Sequence, residues 1–247
     1  MSTIEWLTRV WAIAKKDMKI YYFKGPVIIF GLLLPLFLYL AYAWGRSIGP
    51  VEAVVSITAM SLFFTSTAIG PIIAPWETRS RTFERLLTSP VNMAMILMGD
   101  ALASTIFGAG ITLTIIVSSM VMGVYPANIV LLAFNVLASA ICFSFLGLLL
   151  SSPPSDTPAN IMMLSSMLKF PLIFISGVFI PLGEMPTLMM IIALLSPLTY
   201  TTELFRQSYH LEPAIPTYWA ITALITYTIT FTLTSIKLHE RNAPKRL

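Results

Sequence analysis

The sequence predicts an all-α integral membrane protein with six transmembrane helices, and three observations carry that prediction. Hydrophobic residues make up 57% of the 247-residue chain and charged residues 11%, with a mean hydropathy of +0.83. A soluble domain of this length would leave far too much apolar surface in water. Apolar runs near the 20 residues that cross a bilayer recur six times. Lys and Arg gather at the ends of those runs, where they set orientation rather than bind nucleic acid.

The elements follow in order. Residues 1–25 read as an interfacial helix. On a helical projection Glu5, Thr8, Arg9, Lys15, Lys16 and Lys19 share one arc. Trp6, Leu7, Val10, Trp11, Ile13, Ala14, Met18 and Tyr21 fill the other, and only Asp17 breaks the apolar side. A basic amphipathic helix with two tryptophans lies on the inner membrane surface, drawn by anionic lipid. It is too long and too charged for the n-region of a cleaved signal peptide, so the chain is expected to be retained whole.

Six spans are predicted at Val27–Trp44, Glu52–Ile73, Ala94–Met122, Ile129–Leu150, Ile161–Ile180 and Ile215–Ile236. In the last, Thr226, Thr228, Thr230, Thr232 and Thr234 alternate like a strand. A lone strand cannot satisfy its backbone in lipid, so helix is expected, with the hydroxyls bonded to the preceding turn or to a neighbouring helix. Before it, Gly177–Arg206 holds an apolar run too short to cross, between Pro181, Pro186 and Pro197. It is expected to form a short re-entrant hairpin at the outer face.

Orientation follows from the cations. With the N-terminus cytoplasmic, Arg9, Lys15, Lys16, Lys19, Lys24, Arg79, Arg81, Arg85, Lys237, Arg241, Lys245 and Arg246 lie inside, and Arg46 and Arg206 outside. Both termini and the Trp76–Pro90 segment are therefore expected in the cytoplasm.

That segment is the densest charge cluster between the first and last spans. Phe83, Leu86 and Leu87 recur at helical spacing with Glu84 and Arg85 turned away, Thr82 or Ser80 available as a cap, and Pro90 as a stop. A short amphipathic helix on the cytoplasmic face is expected, placed to touch a soluble partner.

Catalytic signatures are missing. The chain has no GxxxxGK[ST] loop and no HExxH, and the lone Cys142 offers neither a disulfide nor a CxxC metal site. No metal or cofactor is expected in this chain. Asp100 and Lys169 are the only deep charges and fall at similar depth: either they pair, or Lys169 snorkels to the interface while Asp100 ends a polar helix start. Ser56, Thr58, Ser61, Thr65, Ser66 and Thr67 could line a pathway, but small polar residues more often pack helices. Two other classes stay open on these grounds: an integral membrane enzyme or ion-coupled carrier without an ATPase, and a membrane scaffold.

Two local patterns narrow the choice. Glu77, Thr82, Glu84, Leu86 and Pro90 match a Glu-x-Glu-x-Gly-Thr-x-Glu-x-Leu…Pro pattern, with Arg79 and Arg81 at its second Glu and its Gly. Ser176-Gly177, Pro181, Pro186, Ser196-Pro197-Leu198-Thr199-Tyr200 and Arg206 match a Gly…Pro…Asn-Pro-Leu-Thr-Tyr…Arg pattern, with Ser196 for Asn. On these the chain resembles, over its whole length, the transmembrane subunits of ABC-2 type exporters, which include drug-resistance, polysaccharide and lipid export permeases of bacteria and archaea.

The resemblance implies a single transmembrane domain, 1–247, in a prokaryotic plasma membrane, without an engine of its own. It would work as a homodimer or heterodimer beside separate ATP-binding subunits that hold ATP and Mg. Glu77, Arg79, Arg81, Thr82, Glu84 and Arg85 would then couple to the ATPase, with Phe83, Leu86 and Leu87 packing the helix against the spans. An amphipathic or lipid-linked substrate or drug would move outward by alternating access. No substrate-binding residue follows from the sequence.

Overall fold

The computed structural model describes residues 3–22, 29, 33–44, 48–155 and 157–245, and the side chains of 42, 43, 87 and 245 are outside that description. Part of the expected first span, the cations Lys24, Arg46 and Arg246, and both ends of the expected 1–25 segment lie outside the described residues.

No strand occurs among the described residues, and the chain is an all-α integral membrane protein. Helix α1, Thr3–Asp17, runs into a π-helical turn at Met18–Tyr22. Then come α2 (Leu34–Ala43), α3 (Pro50–Ser66), α4 (Gly70–Arg79), α5 (Thr82–Thr88), α6 (Met93–Val121) and α7 (Ile129–Leu150). After them follow α8 (Pro158–Ile175), α9 (Thr187–Ala193), α10 (Pro197–Ser208) and α11 (Thr217–Asn242).

Among the described residues five stretches are long and apolar enough to cross a bilayer: α3 with α4, then α6, α7, α8 and α11. The shortest, α8 at 18 residues, extends about 27 Å at 1.5 Å per residue, close to the roughly 30 Å of hydrocarbon. The bent pair α9–α10, folded by 101°, would make a sixth if counted as one span.

The second expected span is broken. Gly70 and Pro71 open α4, and Pro71 has no N–H for the Thr67 carbonyl four residues earlier. Lys169 of α8 donates to that carbonyl instead, at 2.8 Å.

The core forms where α3, α6 and α7 meet, with α10 and α11 packed on α7. Phe63 and Phe143 stand edge to face at 5.0 Å, and Phe205, Leu198 and Leu204 are fully buried around them. Close crossings depend on missing side chains. A Cβ at Gly70 would lie 3.0 Å from the Gly147 backbone, and one at Gly99 would strike Ile13 of α1 at 2.6 Å.

The threonine-rich last span is helical, as expected. Thr222, Thr226, Thr228, Thr230 and Thr232 each donate to the carbonyl four residues back, at 2.7–2.8 Å. In the second span, Ser56 donates to the Val178 carbonyl at 2.7 Å, Thr67 to the Phe63 carbonyl at 2.7 Å, and Thr65 to the Ser61 carbonyl. Those three residues and Thr58, Ser61 and Ser66 are all buried. In one protomer they act as packing groups.

Candidate functional site

The charged segment Trp76–Pro90 is two helices meeting at a corner, where the sequence pattern predicts one. Helix α4 runs on to Arg79, Ser80 closes its last turn, and Arg81 adopts a left-handed conformation (φ 54°) before α5 begins. Glycine occupies such a conformation without steric cost. Neither expected cap forms: α5 has no side-chain capping bond at its N-terminus, and Thr82 donates to the Glu77 carbonyl at 3.3 Å.

The corner has a buried back and a charged front. Phe83 is 2% exposed and packs with Met93, Leu97, Phe145 and Leu148. Leu86 is half-buried, and the side chain of Leu87 lies outside the described residues. Arg79, Arg81, Thr82, Glu84 and Arg85 are exposed. Glu77 departs from the expected coupling set, because it is 2% exposed and accepts from Lys16 of α1. An acid at this position ties the corner to α1.

Two further contacts tie α1 down. Arg9 donates to the carbonyl of Pro90, and Tyr21 meets Trp76 edge to face with centroids 6.5 Å apart. Between the tail of α1 and the corner lies an open groove of about 370 Å³, bordered by Ile20, Tyr21, Trp76, Glu77, Arg85 and Leu86. Helix α1 itself presents three faces. Val10, Ile13, Ala14 and Asp17 are buried against the protein, and Ile4, Leu7 and Trp11 form an exposed apolar stripe. Thr8, Lys15 and Lys19 are exposed on the polar side.

The ion pair between Asp100 and Lys169 does not form, which corrects the pairing read from depth alone. Lys169 serves the carbonyl freed by Pro71, and among the described residues no ion pair joins it to a carboxylate. Asp100 faces Asp17, Glu77 and Lys16. Equal depth placed the two charges at one level but could not place them on one side of the bundle.

The group around Lys16 holds three buried carboxyls, on Asp17, Glu77 and Asp100, against one cation. Lys16 lies 3.0 Å from Asp17. Burial works against its charge, but Asp100, Glu77 and Asp17 together hold its ammonium above the usual lysine range. One oxygen of Asp100 lacks a hydrogen-bond partner. The signal in the sequence was Asp17 itself, the one charge on the apolar arc of α1, which is fully buried.

At the opposite end, Gly177–Arg206 contains the two short helices α9 and α10, bent by 101°. Gly177 turns the chain with φ 78°. Pro181, Pro186 and Pro197 stand where short helices begin, matching the preset φ of proline rather than acting only as breakers. Tyr200 donates to the Leu194 carbonyl at 2.9 Å, and Arg206 lies 4.0 Å from Glu203. Sequence reasoning passed over Glu203, which accepts from the N–H groups of Ala214 and Ile215 at 2.6 and 3.3 Å. It also passed over Asn135 of α7, which donates to the Thr201 carbonyl at 3.0 Å, with Ser139 bridging Asn135 and Thr201.

Among the described residues no three His, Cys, Asp or Glu side chains converge as a metal site. The site is a charged corner fixed to α1 and to the ends of three spans. Known proteins agree with this architecture. No curated protein shows significant similarity to the chain. A family model described as ABC-2 type transporter matches residues 8–210, which takes in most of α1, the corner, the spans through α8 and the hairpin. The chain therefore belongs to the ABC-2 type transporter family, as the membrane-embedded permease subunit of an ABC-type transporter.

Proposed function

We propose that the chain is the permease of an exporter whose power stroke enters through the α4–α5 corner from a separate ATP-binding subunit, which holds the ATP and Mg. The observation that carries this reading is the two-sidedness of the corner. Arg79, Arg81, Glu84 and Arg85 are exposed in front, while Phe83 and Glu77 are buried behind. A push on the front reaches α4, α6 and α1 without an intervening flexible linker.

Closure of the ATPase pair would switch a pathway formed by two permease copies, or by one copy and a homologue, from inward- to outward-facing. An amphipathic or lipid-linked molecule would leave outward across a prokaryotic plasma membrane. Both termini would be cytoplasmic. In support, α1, the corner and Ala243 gather at one end of the bundle, where Phe83 and the C-terminal part of α11 share a cluster.

Two arginines stand where the family pattern has Glu and Gly, so the matching surface of the partner is expected to be acidic. The test is co-purification of the cognate ATP-binding subunit with the Arg79→Glu, Arg81→Glu double variant. Complex formation should be lost although the permease inserts normally, and basic substitutions on the partner should restore it. Wild-type co-purification would refute the docking surface.

A further inference from the structure

We infer that the cavity beside Lys169 takes the acidic head group, carboxylate or phosphate, of an amphipathic molecule. The cavity, of about 50 Å³, lies between α2, the break from α3 to α4, and α8. Its walls are apolar, with Leu34, Phe64, Ile72, Met162 and Phe170 among them, and its polar lining includes Lys169 and Ser165. That volume admits a head group and no more, since about one probe sphere of 10–15 Å³ already holds a water. A tail must continue outward between apolar side chains.

Three observations converge on an anion. Lys169 is 8% exposed and reaches no carboxylate among the described residues. Its ammonium has three donors, and the bond to the Thr67 carbonyl uses one. Ser165, 1% exposed, lines the same cavity with a hydroxyl that has no partner, whereas its neighbour Ser166 donates to the Met162 carbonyl at 2.9 Å. A buried cation and an idle donor in an apolar wall are both satisfied by an anionic oxygen. A neutral head would leave the charge uncompensated, and a cationic one would add a second.

Covering the carbonyl freed by Pro71 explains one proton of Lys169 but neither the other two nor Ser165. The inference rests on the proposed exporter only for calling the ligand a substrate. Binding is therefore measured without any ATP-binding subunit, so a failure of docking at the corner leaves this result untouched, and the converse holds as well.

The experiment is equilibrium binding of dodecanoate, dodecyl phosphate and dodecanol to the full chain in phosphatidylcholine nanodiscs, with empty nanodiscs subtracted. The two anions should bind at least about tenfold more tightly than the alcohol, as charge-assisted hydrogen bonds imply. Lys169→Arg should keep that preference and Lys169→Met should abolish it. Because removing Lys169 exposes the Thr67 carbonyl and could cost the fold, Ser165→Leu is the second variant. It fills the cavity, spares the bond to Thr67, and should abolish saturable anion binding. Adding phosphatidylglycerol identifies the source of the head group: competition with dodecanoate assigns the cavity to an acidic bilayer lipid, and its absence assigns it to a transported amphipath. Equal binding of dodecanoate and dodecanol, or an intact preference in a folded Lys169→Met or Ser165→Leu protein, would overturn the inference.

Discussion

Each end of the bundle buries acidic side chains, and the two ends treat them in opposite ways. At the hairpin end Glu203 is satisfied: two backbone N–H groups donate to it and Arg206 lies beside it. The loop before α11, the hairpin and α7 are stitched together there by Gln207, Asn135, Ser139 and Tyr200. At the corner end three buried carboxyls, on Asp17, Glu77 and Asp100, share the single ammonium of Lys16, and one oxygen of Asp100 finds no partner. A satisfied buried network specifies one arrangement, whereas an under-satisfied one sits nearer in energy to its alternatives. The hairpin end is built to hold. The corner end is built to rearrange when something pushes on it, which suits the place where an ATPase is proposed to act.

The largest expected effect follows from the shared cation. Lys16→Met leaves Asp17, Glu77 and Asp100 buried without a counter-charge, a class of change that costs about 3–5 kcal/mol. A large drop in the thermal unfolding temperature of the purified permease is expected. Asp100→Asn, which removes a surplus carboxyl, should be far milder. Comparable damage from both would refute the surplus of negative charge at this end.

Glu203→Ala at the other end should cost less, about 1–3 kcal/mol, the penalty for leaving the Ala214 and Ile215 N–H groups unsatisfied. Transport per folded molecule should not change. A fall in transport with unaltered stability would show that the hairpin end moves in the cycle and would dissolve the contrast between the two ends.

A smaller effect, of opposite sign, is expected at the corner. Arg81 holds a left-handed conformation at φ 54°, which costs a side-chain-bearing residue about 1–2 kcal/mol. Arg81→Gly should therefore stabilise the permease by about 1 kcal/mol while weakening its grip on the partner. Unchanged or reduced stability, read by thermal unfolding, would contradict the strain.

Much of this was legible in the sequence. Five of the six expected spans fall on long helices, because hydropathy and length act locally; the first falls on the ten-residue α2, and part of it lies outside the described residues. The threonine alternation resolves as helix because lipid offers no partner for a strand, and each hydroxyl can bond its own preceding turn. The hairpin could be read from its three prolines. What sequence could not supply is which side of the bundle a charge faces. Asp100 and Lys169 share a depth but turn to different neighbours, Asp17 and Thr67. Glu77 matched the coupling pattern, yet the register of α4 turns it inward to Lys16. The break at Thr67 had a signal in Gly70-Pro71, and reading the freed carbonyl would have called for a donor such as Lys169. The glycine position in the coupling pattern gains its physical meaning only from the backbone angle of Arg81.

The central claim, that the charged front of the corner transmits the work of the ATPase, is tested most directly by the Glu84→Arg, Arg85→Glu double reversal in reconstituted vesicles. An exposed pair contributes only about 0.2–1 kcal/mol, so folding and insertion should be unaffected. Because the altered front no longer seats its partner, ATP hydrolysis should continue without transport. Export at the wild-type ratio of substrate moved to ATP hydrolysed, with the complex assembled at normal levels, would contradict the claim.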